Sequence, residues 1–152
     1  AEVFEQVGRR WERLDLVLAN AGINGVWAPL EELSVEEWSH TIAVNLTGTF
    51  LTVKYAVPLL RAAGGAVVIT ASVNGTRVFS TSGASAYSTE KRGTDGLRPD
   101  VAYPEGQIPL TGHHPGSAAQ IADLVCFLGS EAASHITGTE VWVDGGQSLL
   151  IG

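Results

Sequence analysis

The sequence holds a single cysteine, Cys126, so no disulfide can form within one chain. Cys126 falls in an apolar helical pattern and is expected to be a small core residue. Charge is sparse as well, at 16% of 152 residues, with a formal net charge of −7. That sign disfavours a binder of phosphate backbones, so no nucleic-acid partner is expected. No uninterrupted apolar run reaches the roughly 20 residues of a membrane span. The first residues lack the basic and apolar blocks of a signal peptide. A cytoplasmic protein without a membrane partner is the expectation. No metal is expected either. His113 and His114 are adjacent, so their side chains point apart, and no further ligand has suitable spacing. Internal repeats, low-complexity stretches and domain linkers are also missing.

What is present reads as one α/β domain spanning 1–152. Its 45% hydrophobic content is enough for a core. Val3, Phe4, Val7, Trp11 and Leu14 recur at three- and four-residue steps, which predicts a helix from Ala1 to about Leu14. A chain that starts inside an amphipathic helix suggests that something upstream is missing. Asp15 to Ala19 is a short continuous apolar strand, the pattern of a parallel sheet covered on both faces. Asn20-Ala21-Gly22 follows at its carboxyl end, the edge where open α/β sheets bind ligands. Ser34 and Glu37 form a capping box that starts a helix running to Ala63 and stopping at Gly64-Gly65. Trp38, Ile42, Leu46, Phe50 and Val53 are expected on its apolar face. Asn45 interrupts that apolar neighbourhood and needs a partner. His40 is expected at the surface. Ala66 to Ala71 predicts a second strand, Ser117 and Gln120 a second capping box, and Glu140 to Asp144 a last strand. Ile121, Leu124, Val125 and Leu128 mark the apolar face of the helix that begins at Ser117.

The chemistry concentrates between Ser72 and Lys91. Tyr87 and Lys91, four apart, share a face if that stretch is helical. Ser72 follows the second strand. A free tyrosine has a pKa of about 10. A neighbouring ammonium favours the phenolate and brings it towards the range useful for proton transfer. A serine hydroxyl can hold the same substrate oxygen.

Taken in order, Leu18-Ala19-Asn20-Ala21-Gly22, Val44-Asn45-Leu46-Thr47-Gly48, Ser72, Tyr87, Lys91 and Val143-Asp144-Gly145-Gly146 resemble the short-chain dehydrogenase/reductase family over nearly the whole chain. The resemblance implies part of a doubly wound, Rossmann-type parallel sheet and hydride transfer between a nicotinamide and a carbonyl/alcohol substrate. Asn45, Ser72, Tyr87 and Lys91 would be the catalytic residues. Tyr87 would exchange the proton, Lys91 would lower its pKa and touch the ribose, and Ser72 would position the oxygen. Asn45 would hold a helix kink and complete the proton relay. Asn20, Ala21 and Gly22, with Tyr87 and Lys91, would line NAD or NADP. The complete protein is expected to be a homo-oligomer.

Two features depart from the family. Arg92-Gly93-Thr94-Asp95-Gly96-Leu97-Arg98-Pro99 breaks any helix soon after Lys91, so an internal gap near 92–100 is expected. The Gly-rich turn between a strand and a following helix, which cradles the pyrophosphate, has no counterpart. NAD and NADP therefore cannot be told apart, and this chain is expected to bind either weakly or not at all. With neighbouring strands missing, the sheet keeps open apolar edges, so the chain is not expected to persist as a monomer. The alternative reading is an inactive truncated relative that acts only as a binding or oligomer partner.

Overall fold

The computed structural model describes residues 1–72, 111–112, 114 and 116–146. These form two compact units. One comprises Ala1–Asn20, Thr49–Thr70 and Ser117–Trp142; the other comprises Ala21–Gly48, Ala71–Gly116 and Val143–Gly152.

In the first unit, α1 spans Glu2–Trp11, three residues short of the sequence expectation. Glu12 takes a left-handed conformation, φ 62°, and its N–H caps the carbonyl of Gly8 at 3.1 Å. Arg13 and Asp15 then pair across one residue at the surface, Nε–H donating to Oδ1 at 3.1 Å and to Oδ2 at 3.2 Å. The hydrogen bond from Arg13 holds the Asp15 carboxyl below its ordinary pKa. Strand β1, Leu16–Ala19, pairs in parallel with β2, Ala66–Ile69, with Val17 opposite Val67 and Ala19 opposite Ile69. Helix α3, Gly48–Ala63, connects back into β2. Its Ala56 and Leu60 form a buried cluster with Val17, and Phe4 and Leu14 pack against that cluster. Successive strand residues face opposite ways, so Leu16 points away from this cluster. There it meets the end of α4, Ala118–Leu128, where a Cβ on Gly129 would lie 2.7 Å from Leu16 Cδ2. β1 thus has helical structure against Val17 on one face and against Leu16 on the other, while Leu18 stays exposed.

Helix α3 ends at Gly64, whose φ of 69° is the left-handed stop that glycine adopts without strain. Helix α4 starts at the second capping box, Ser117 Oγ accepting from Gln120 N–H at 3.3 Å and Gln120 Oε1 from Ser117 N–H at 2.7 Å. Ile121, Leu124, Val125 and Leu128 are half-buried on one face of α4. Cys126 lies off that face and is exposed, contrary to its expected place in the core. The residues expected to form the last strand do not do so. Val141, Trp142 and Val143 are exposed and outside any ladder, because no strand among the described residues pairs with them.

In the second unit, α2, Val35–Ile42, opens on the expected capping box. Ser34 Oγ accepts from Glu37 N–H at 3.2 Å, and Ser34 N–H donates to Glu37 Oε2 at 2.9 Å. The Ser34 hydroxyl and N–H both donate to the Glu37 carboxylate and hold its pKa below the ordinary value. A π-helical turn, Ala43–Thr47, joins α2 to α3. The helical run Val35–Ala62 stays within the expected bounds but has the length and composition of a membrane span, which the sequence was not expected to hold. It also carries Glu36, Glu37, His40, Lys54 and Arg61, and its Ala56 and Leu60 are buried with Val17 of β1. His40 is exposed, as expected. Of the expected apolar face, Trp38, Ile42 and Val53 are half-buried, but Leu46 and Phe50 are not. Leu46 and Phe50 are 54% and 59% exposed, while Thr41, Asn45, Ala56 and Leu60 are buried.

Candidate active site

The segment after β1 carries Asn20, Ala21 and Gly22, all exposed at the strand's carboxyl end. Within the second unit this segment is fastened to the helix at two points. Asn45, 4% exposed, reaches out of the π turn and binds the backbone of Ile23 from both sides. Its Oδ1 accepts from Ile23 N–H at 2.8 Å, and its Nδ2 donates to Ile23 O at 2.8 Å. A carboxamide matches a peptide group in this way because it carries one donor and one acceptor at the same spacing. The bond pattern satisfies a buried polar side chain and a loop backbone together. A π turn is a local insertion that persists where a side chain needs a particular direction, and such turns gather at functional sites.

The second fastening was not legible in the sequence. Thr41 is fully buried, and its hydroxyl donates to Glu37 O at 3.0 Å. Gly25 lies against it with φ 67°, and a Cβ there would come within 2.3 Å of Thr41 Oγ1. The only sequence signal is that Thr41 lies four residues before Asn45, hence on the same helix face. In the first unit, Thr70 directly follows β2, and its N–H donates to Ala19 O at 3.1 Å. Its hydroxyl donates to Asn20 Oδ1 at 2.8 Å.

Ser72 is half-buried, two residues beyond Thr70. Tyr87 and Lys91 lie outside the described residues, as do the expected gap near 92–100 and His113. Among the described residues no group of histidine, cysteine, aspartate and glutamate could hold a metal ion. A dinucleotide fits what is described only in part. Asn20, Ala21 and Gly22 are open, and the Asn20 NH2 group has no partner among the described residues. No Gly-rich turn leads from a described strand into a helix to receive a pyrophosphate.

A family model described as short chain dehydrogenase matches residues 1–117. The trans-4-hydroxycyclohexanecarboxylate dehydrogenase of Sinomonas cyclohexanicum is 33% identical over 91% of this chain and 62% of its own length. This chain therefore spans about three fifths of that relative. Their alignment has 164 positions, whereas 91% of 152 residues is about 138, so roughly 26 positions have no residue in this chain. Among solved structures, a 3-ketoacyl-ACP reductase from Sinorhizobium meliloti 1021 matches with a TM-score of 0.85 and 40% identity. That match covers 98% of this chain and 74% of the reductase. An alcohol dehydrogenase from the archaeon Thermococcus sibiricus, solved in complex with 5-hydroxy-NADP, matches with a TM-score of 0.54 and 36% identity. It covers 59% of this chain and 37% of its own. The order of motifs, the parallel βαβ unit and these matches agree, and the chain belongs to the short-chain dehydrogenase family, with a Rossmann-type α/β fold.

Proposed function

We propose that this chain carries the catalytic part of an NAD(P)-dependent oxidoreductase that interconverts an alcohol and a carbonyl. The observation that supports it most is the Asn45 clamp, which fixes the segment directly after Asn20-Ala21-Gly22 from a π turn. A nicotinamide, when bound, supplies or accepts the hydride at the substrate carbon. The chain's own residues manage the oxygen and its proton. Tyr87 gives a proton to the carbonyl oxygen during reduction and takes it back during oxidation. Lys91 favours the phenolate that this exchange requires. The Ser72 hydroxyl holds the same oxygen in reach of Tyr87. Asn45 positions the loop and completes the relay. Asn20, Ala21 and Gly22, with Tyr87 and Lys91, hold the cofactor.

The substrate is a small molecule, and a cyclic secondary alcohol is the first to test, because the Sinomonas relative is named for one. We place the positions missing from the alignment near 92–100, where Gly93, Gly96 and Pro99 interrupt the helical pattern. A cytoplasmic homo-oligomer is the assembly this reading favours for the complete protein, since the described chain leaves Leu18, Val67 and Ile69 of its sheet exposed.

The test is Tyr87→Phe in the complete protein, assayed with a cyclic secondary alcohol and either cofactor. Loss of a positioned acid–base group lowers the rate about 10²–10⁴-fold, with cofactor affinity nearly unchanged. A near-normal kcat in the variant would refute the assignment.

A further inference from the structure

We propose that Thr70 is a positioning residue that holds the Asn20 carboxamide as an outward-facing hydrogen-bond donor for an oxygen acceptor of a nicotinamide dinucleotide. This rests on the cofactor reading above and goes beyond it in naming which atoms meet the ligand and what aims them.

Asn20 and Thr70 are the first residues past the ends of β1 and β2, side by side at the carboxyl edge of a parallel pair. Ligands of open α/β sheets lie against that edge. Thr70 is fixed there by its own N–H, which donates to Ala19 O at 3.1 Å and extends the ladder by one rung. From that anchor its hydroxyl donates to Asn20 Oδ1 at 2.8 Å. The two ends of a carboxamide have nearly the same shape, and an exposed asparagine without a fixed partner can turn either end outward. With Oδ1 taken by Thr70, only the NH2 end is presented. That group has no partner among the described residues, and Asn20 is exposed. It has two donors and no acceptor, so it suits a ribose hydroxyl oxygen or a phosphoryl oxygen and repels no anion. Holding the rotor in advance removes an ordering cost that binding would otherwise carry.

Valine is the near-isosteric replacement that removes the hydroxyl. Dissociation constants for NADH and NADPH, read from the change in nicotinamide fluorescence up to millimolar concentration, are measured for the complete protein and four variants. Thr70→Val is expected to weaken binding about 2–10-fold, the range of one lost hydrogen bond. Thr70→Ser keeps the hydroxyl and restores the wild-type value. Asn20→Ala weakens binding at least as much as Thr70→Val. In the double variant Asn20→Ala/Thr70→Val the valine adds nothing, because its effect passes through Asn20. A purely structural role for Thr70 would instead lower affinity by the same factor in both backgrounds, and that result overturns the proposal. So does a Thr70→Val chain that binds as tightly as wild type. If Thr70→Val does not fold by far-UV circular dichroism, Thr70→Ala carries the same expectation and the same refutation. Absence of binding by the wild-type complete protein across the whole range overturns the cofactor reading and the proposal with it. Wild-type binding with uncoupled variants overturns the proposal alone.

Discussion

Replacing Asn45 tests the clamp that the π turn exists to deliver. In Asn45→Ala both 2.8 Å bonds to Ile23 are lost. A hydrogen bond of this kind contributes about 0.5–1.5 kcal/mol net. Ile23 is half-buried, so its N–H and C=O regain some water in the variant. Alanine also has a better helix propensity than asparagine by up to about 0.7 kcal/mol. The expected net loss is about 1–2 kcal/mol. Asn45→Asp is the sharper variant. It keeps an oxygen for Ile23 N–H but sets a second oxygen where Nδ2 donated to Ile23 O. Only a protonated carboxyl can donate there, and burial disfavours the ionised form, so the folded-state pKa rises above the unfolded value of about 3.9. A folded pKa above the unfolded one means that the penalty is absent below the unfolded value. It then grows with pH by about 1.36 kcal/mol per unit until the folded pKa is passed. Urea melts followed by far-UV circular dichroism, at one protein concentration and at several pH values from 4 to 7, measure both variants against wild type. The Asn45→Asp deficit should be smallest at the acid end and widen towards neutrality. A deficit that does not change with pH, or an Asn45→Ala chain as stable as wild type, would show that Asn45 does not bear on Ile23 as described.

Gly25→Ala should cost about 2–4 kcal/mol, combining left-handed backbone strain with displacement of the buried Thr41 hydroxyl. Gly22→Ala, whose Cβ would meet Asn45 Oδ1 at an ordinary 3.4 Å, should cost under about 1 kcal/mol; equal losses in the two melts would refute the seating of Gly25 on Thr41. Glu37 has a folded pKa held down by Ser34, so its contribution is complete above the ordinary carboxylate value and is lost as pH falls through the lowered one. Ser34→Ala should flatten that acid limb in a pH series of melts, and an unchanged limb would remove Ser34 as the cause. Sedimentation velocity should find the 152-residue chain associated, because Leu18, Val67 and Ile69 are exposed on its two-stranded sheet; a single monomeric species would mean those apolar positions recruit nothing.

Local signals settled much of the chain from the sequence alone. The capping boxes Ser34–Glu37 and Ser117–Gln120, the stop at Gly64, and the apolar strands around Val17 and Val67 depend on residues close in sequence, and each stands where those residues put it. The order of Asn20-Ala21-Gly22, Asn45, Ser72, Tyr87, Lys91 and Val143-Asp144-Gly145-Gly146 carried the resemblance to the family, because motif order survives without knowledge of contacts. Other features depended on partners distant in the chain. Leu46 and Phe50 of the expected apolar face are exposed, because burial depends on what packs against a helix and not on its period alone. Cys126 is exposed because the packed side of α4 is the one carrying Ile121, Leu124, Val125 and Leu128. Val141, Trp142 and Val143 have strand composition, but a strand is a pairing and needs a neighbour to form. The partner of Asn45 is 22 residues away at Ile23, and that of Asn20 is 50 residues away at Thr70. The sequence could mark Asn45 as a residue in need of a partner, but only the folded chain could name it, since a hydrogen bond is fixed by position in space and not by separation along the backbone.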